Sequence, residues 1–198
     1  MAYGTNAPNG LRPVKKLDGS AWTGQTTSYP VASGFATSLF KGDPVAVLAD
    51  GTLGIGVAGS AITGVFFGIQ YTDAAGNIVN SPNWVASSTT RGGAPATAFV
   101  IDDPNVVFSI QESDGSGGAG TPLAATDVGL NANFAVGTGS TATGNSGATL
   151  NNTTEAVTSS LNLKILGLDL YPGNVVGSFA NWLVVINNHR YRGGVAGI

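Results

Sequence analysis

The chain has 198 residues, of which 42% are hydrophobic and only 10% charged, with 30 glycines, no cysteine and a net charge of −3. That length supports one good core or two small ones, and the missing cysteines exclude disulfides, thiolate nucleophiles and Cys-based zinc or iron–sulfur sites. A charge content far below the ~25% of an ordinary domain reads as surface covered by other subunits, so assembly is the leading expectation.

In chain order, residues 1–30 come first. They carry Pro8, Pro13 and Pro30 among Gly4, Gly10, Gly19 and Gly24 and show no sustained period, so they read as an extended N-terminal arm, with 31–198 as a single β domain. The arm is expected to be disordered or to lie on a neighbour through Tyr3, Leu11, Val14, Leu17 and Trp22; the alternative is an edge strand of its own subunit. It is also basic. Arg12, Lys15, Lys16 and Lys41 against Asp18 leave residues 1–41 at +3, Arg190 and Arg192 put 187–198 at +2, and the span between them stands at −8. A basic arm on an acidic body suits docking on an acidic protein surface, the alternative being ordinary solvated cations.

Residues 38–69, SLFKGDPVAVLADGTLGIGVAGSAITGVFFGI, alternate short β-branched runs with turn residues. Asp50-Gly51 between two such runs is a strong hairpin signal, because a tight turn needs positive φ that Gly, Asn and Asp tolerate. Strands are expected near 34–40, 44–49, 52–57 and 62–70, with Pro44 at a strand start. Turns follow at Ala75-Gly76 and Asn80-Ser81-Pro82, then strands near 96–101 and 106–111 separated by the turn Asp102-Asp103-Pro104-Asn105. Residues 113–121 and 137–154 are Gly/Ser/Thr-rich and are expected to be long loops that build no core. Between them a single helical turn is expected near Thr126-Asp127. The chain then returns to strands near 161–169, where Leu161, Leu163 and Ile165 alternate, and 179–188. The fold class is therefore all-β: an antiparallel barrel or sandwich with an extended arm and long loops.

Several patterns imitate chemistry. Gly54, Gly56 and Gly59 match G-x-G-x-x-G, but the segment after them is β-branched and aromatic, so no helix N-terminus is there to hold a pyrophosphate. His189, the only histidine, has no G-x-S-x-G elbow beside it and reads as a polar residue at a strand end. Asp102 and Asp103 are adjacent and would point to opposite faces of a strand, so they make no acid and base pair. Calcium at Asp102, Asp103 and Asn105, or at Asp114, lacks the spaced oxygen ligands of a dedicated loop. Trp22, Trp84, Trp182 and Phe66-Phe67 are candidates for a sugar-binding face, though core or interface packing is the commoner role. No enzyme activity and no cofactor or metal is expected.

Nucleic acid is not expected as a partner: the chain has no basic run or interleaved aromatic platform, and the acidic body repels phosphate. No apolar run approaches the ~20 residues of a membrane span, and the opening MAYGTNAPNG has no signal-peptide character, so no membrane is expected and the chain is read as soluble and unexported.

The passage GDPVAVLADGTLGIGVAGSAITGVFFGIQY resembles the Gly-Asp-Pro-Val…Asp-Gly…Gly-Val meander of small decoration, or cement, proteins of tailed-bacteriophage capsids. NAPNGLRPVKKLDGSAWTGQ and NWLVVINNHRYRG resemble structural proteins of aquatic bacteriophages. The resemblance implies a β-barrel or sandwich subunit, commonly trimeric, that clamps adjacent major capsid proteins on the outside of the virion after synthesis in the host cytoplasm. It puts Arg12, Lys15, Lys16 and Trp22 forward as capsid contacts, and removal of residues 1–20 is expected to abolish binding while leaving the body folded. A host-recognition or fibre-like module that binds glycans is the competing reading, and a host-envelope hydrolase suffers from the missing acid and base pair.

Overall fold

The computed structural model describes residues 4–193; Tyr3, one of the expected arm anchors, lies outside them. In chain order the strands are β1 Arg12–Lys16, β2 Thr27–Val31, β3 Leu39–Phe40, β4 Pro44–Val47, β5 Leu53–Ile55, β6 Gly64–Thr72, β7 Ile78–Ser81 and β8 Asn83–Trp84. They continue with β9 Ala96–Ile101, β10 Val106–Ser113, β11 Asn131–Ala132, β12 Phe134–Ala135, β13 Thr149–Asn151, β14 Leu163–Leu168 and β15 Asn181–Ile186. The described residues contain no α-helix, only 3-10 turns at Arg91–Gly93 and Ala125–Asp127. In the second, which falls where the sequence places a helical turn, Asp127 Oδ2 accepts the Ala124 N–H at 2.8 Å.

The strands form two main sheets. One runs β2-β9-β6-β4-β5, and β5 comes back toward β2, so it nearly closes into a barrel. Its hairpin β4–β5 turns at Asp50-Gly51, where Gly51 takes φ 80° and Asp50 Oδ1 accepts the Thr52 N–H at 2.9 Å. The barrel encloses Val31, Val45, Leu53, Phe66, Ile69, Ala98 and Val100, and the short pair β3–β8 adds Leu39 and Trp84 to that core. The other sheet runs β11-β14-β15-β10-β13-β12, with β1 also on β10. Its inward side chains, among them Phe108, Ile110, Ile165, Trp182 and Val184, pack a second core with Ile62, Val65 and Ile101. Adjacent residues of β6 point to opposite faces, so Val65 serves this core and Phe66 the barrel. The two small cores allowed by the length are both present, back to back.

The arm takes the second of its two readings, and one expectation is revised. Residues 12–16 and 27–31 lie as edge strands on their own body: β1 pairs antiparallel with β10, β2 with β9, and Leu11 just before β1 is 1% exposed. Deleting residues 1–20 would therefore strip a strand from β10 and an apolar side chain from the core, so point substitutions replace it as the test of binding. The stretch 137–154, expected to build no core, buries Ser146, Ala148, Thr149, Leu150 and Asn152 and supplies β13, which runs parallel to β10 in an otherwise antiparallel sheet. Small residues make this possible: a Cβ on Gly137 would collide with the Gly147 carbonyl, so the two backbones can meet only because both lack side chains. Beside it Glu112 is fully buried and accepts the Leu123 N–H (2.8 Å) and Asn152 Nδ2 (3.1 Å), while burial raises its pKa.

Candidate functional site

The charged and aromatic features converge where β1 passes the turn between β3 and β4. Gly10 (φ 64°) and Gly42 (φ 100°) approach too closely for either to carry a Cβ, and the Leu11 N–H donates to the Gly42 carbonyl at 2.9 Å. Asp43 fixes the turn from within. Its carboxylate accepts the Phe40 N–H (2.8 Å) and the Ser146 hydroxyl (2.5 Å), and Ser146 in turn accepts the Ala148 N–H. Burial pushes the Asp43 carboxyl up from 3.8 to about 6, against those two hydrogen bonds. The backbone of Lys41 is held on both sides, its N–H shared by the Pro82 and Gly144 carbonyls and its own carbonyl accepting the Ser146 N–H.

On this frame sits a groove of about 470 Å³ lined by Asn9, Arg12, Pro13, Trp22, Lys41, Phe67 and Asn145. Phe67 faces out of the barrel, Trp22 meets it edge to face with centroids 5.5 Å apart, and Lys41 Nζ stands 4.3 Å above its ring. Arg12 is exposed and its Nη2 donates to Ser109 Oγ at 3.4 Å, a hydroxyl that itself donates to Asp169 Oδ2 at 2.6 Å. Among the described residues, no carboxylate pairs with Arg12, Lys15 or Lys41. Arg12 also borders a second depression, with Val14, Ser109, Asp169 and Tyr171. Val14, Leu17, Leu170, Tyr171, Val175 and Val176 stay exposed on β1, just past it, and on the loop before β15.

Of the four residues the sequence puts forward, Arg12 and Trp22 thus share one groove. Lys15 stands exposed further along β1, and Lys16 is taken up by Asp103, with Nζ–Oδ2 at 3.0 Å. Lys41, counted in the basic arm, and Phe67, offered with Trp22 among the aromatic candidates, line the groove too, whereas Asn9 and Asn145 are lining residues that sequence reasoning missed. One signal was available: in adjacent Phe66-Phe67 on a strand, only one ring can face a given core. Phe66, Trp84 and Trp182 are fully buried and belong to cores.

The turn Asp102–Asn105 carries a second polar cluster. Asp102 accepts the hydroxyls of Thr27 (2.9 Å) and Tyr29 (2.8 Å), and Tyr29 Oη lies 2.7 Å from Tyr191 Oη; burial, then these two neighbours, raise the Tyr29 pKa. Arg192 Nη2 donates to the Pro104 carbonyl at 2.6 Å. His189 is fully buried, with Nδ1 accepting the Tyr191 N–H at 3.1 Å. These contacts fasten the last described residues to the barrel. In the Asp114 loop the carboxylate caps its own backbone, accepting the N–H groups of Ser116 and Gly118.

Burial, followed by the nearby Arg192, pulls His189 from 6.5 down to about 4. The unfolded chain takes up this proton near 6.5 and the folded chain only near 4, so the stability it contributes is complete above 6.5 and is lost as pH falls through 4. Thermal melts of wild type and His189→Gln should converge on acidification from pH 7.5 to 4.5, the variant gaining on wild type. A gap that stays constant would show that His189 does not titrate differently on folding.

Compared with models of known protein families, with curated proteins and with solved structures, the chain matches none.

Proposed function

We propose that this protein is a virion structural protein, a capsid decoration subunit that binds the outside of a major capsid lattice and stabilises it. The observation that carries the reading is the groove: on a body with a strong excess of carboxylates, two cations with no ion pair among the described residues and two half-buried aromatic rings line one place, with exposed Val14 next to Pro13 along β1. Interfaces are built this way, with aromatic and arginine anchors inside a mixed rim. The nearly closed barrel supplies a rigid support. The mechanism is mass action: a ligand that binds only the assembled lattice shifts the equilibrium away from its disassembly, by an amount set by concentration over Kd. Self-association, as a trimer, is part of the proposal and rests on the low surface charge and the exposed Leu170, Tyr171, Val175 and Val176.

Co-sedimentation with expanded phage capsids tests the reading, paired with light scattering of the free protein. Saturable binding to the capsids and a mass of three chains are expected. A monomer that stays in the supernatant with capsids of every maturation state would end it. The amides of Asn9 and Asn145 beside Trp22 favour a second reading, a glycan-binding surface module. Retention on host-cell polysaccharide without capsid binding would select that one.

A further inference from the structure

We infer that the groove between β1, Trp22 and Phe67 seats an acidic, extended peptide segment of the partner protein, whose carboxylate side chain meets Arg12 and Lys41 while an apolar neighbour packs on Trp22. This deepens the decoration reading and rests on it only for which protein carries the segment.

Charge selects the occupant. The groove's charged lining groups are both cations, and neither forms an ion pair with a carboxylate among the described residues, Asp169 reaching Arg12 only by way of the Ser109 hydroxyl, although the 42–186 span carries a net −8. Arg12 offers a planar fork that fits a carboxylate with two parallel hydrogen bonds. Lys41 is already placed: its backbone is hydrogen-bonded on both sides and its ammonium is parked over the Phe67 ring, so little freedom remains to be lost when an anion arrives. The long-range field of the acidic body opposes a polyanion such as nucleic acid, whereas a single carboxylate inside the groove meets mainly the two nearest charges.

The rings also discriminate. Trp22 and Phe67 meet at 68° and one face of Phe67 lies under Lys41, so the pair offers no flat two-ring platform for a sugar or a base. What remains is one indole and the Pro13 ring, which suits an aliphatic or aromatic side chain next to the carboxylate. Pro13 has no N–H, so β1 offers an interrupted row of donors and the segment is held through side chains rather than as an added strand.

Trp22 provides the readout, since it is the half-buried tryptophan while Trp84 and Trp182 are sealed in the cores. Tryptophan emission is titrated with a ten-residue peptide alternating Glu with Leu, with its Gln-for-Glu counterpart, and with oligogalacturonate. The Glu peptide should give a saturable change that weakens at high salt, and the Gln peptide should bind about tenfold or more weakly, as expected when charge-assisted hydrogen bonds are lost. Arg12→Glu and Lys41→Glu should abolish the change, Trp22→Phe should remove the signal, and Arg91→Glu, the same charge reversal at an exposed site outside the groove, should keep binding. Equal binding of the Gln peptide, binding of oligogalacturonate alone, or no binding of any probe each overturns the inference. If capsids bind the wild-type protein and Arg12→Glu equally while the Glu peptide fails, the groove assignment falls and the decoration reading stands; if the peptide binds and capsids do not, the reverse holds.

Discussion

Asp43→Ala should lower stability by about 3 kcal/mol, because it strands the Phe40 N–H and the Ser146 hydroxyl in a site that excludes water, and each buried group left unpaired costs roughly 1–3 kcal/mol. For a chain of this size that corresponds to a melting point lower by roughly 10 °C. Asp43→Asn separates the hydrogen bonds from the charge. The folded carboxyl titrates near 6 against 3.8 when unfolded, so its favourable contribution is full below 3.8 and is lost as pH rises through 6. Asn carries no such penalty, so the variant should compare better with wild type at pH 7.5 than at pH 4.5, by up to about 2 kcal/mol. A difference between the two proteins that is independent of pH would refute the burial argument, and a loss below 1 kcal/mol in Asp43→Ala would refute the role as a lock. Since the same lock holds the backbone at Lys41 through Ser146, Asp43→Ala should also weaken whatever binds in the groove.

Trp84→Ala should be costlier still. The indole is fully buried in the barrel core, stacks edge to face with Tyr71 at 5.3 Å and donates to the Phe35 carbonyl at 3.1 Å. Truncating a buried tryptophan costs about 3–5 kcal/mol in transfer and cavity terms. The Phe35 carbonyl keeps a partner in the Ser87 N–H, so the loss is chiefly one of packing. Trp84→Phe, which retains much of the ring, should recover more than half of it. Urea denaturation followed by circular dichroism gives both values, and equal midpoints for wild type and Trp84→Ala would show that β8 is not part of the cooperative core.

Much of the barrel could be read from the chain, because its strands are bounded by turn chemistry that acts locally. Asp50-Gly51 makes the β4–β5 hairpin, Gly-Asp-Pro starts β4, and GVFFGIQYT is β6 to within two residues of the expected span. Leu163 and Ile165 alternate inward as their period requires, and the turn Asp102–Asn105 separates two strands as expected. What stayed hidden depends on distant backbone. Between Gly10 and Lys16 a strand is legible only as the alternative to a free arm, since its partner lies on β10 and Pro13 and Gly10 speak against one. The stretch 137–154 looks coreless because its contacts are made by glycine backbones and buried hydroxyls rather than apolar side chains. Of the groove, Arg12 and Trp22 were legible through charge and size, whereas Lys41 and Phe67 join them only once β6 and the β3–β4 turn are folded beside β1.

The order of pairing bears on how the molecule is made. All strands of the barrel fall within residues 27–101, so a ribosome delivers that half as one uninterrupted stretch, able to collapse while the remainder is still being translated. Arg12, by contrast, emerges early and finds Ser109 97 positions later, on a strand whose other flank is completed only by β15. Such non-local closure is slow. Until it happens β1 has no β10 to pair with and the cationic groove that depends on it is unassembled, so a nascent or half-folded chain lacks the cleft in which Arg12, Lys41, Trp22 and Phe67 are brought together.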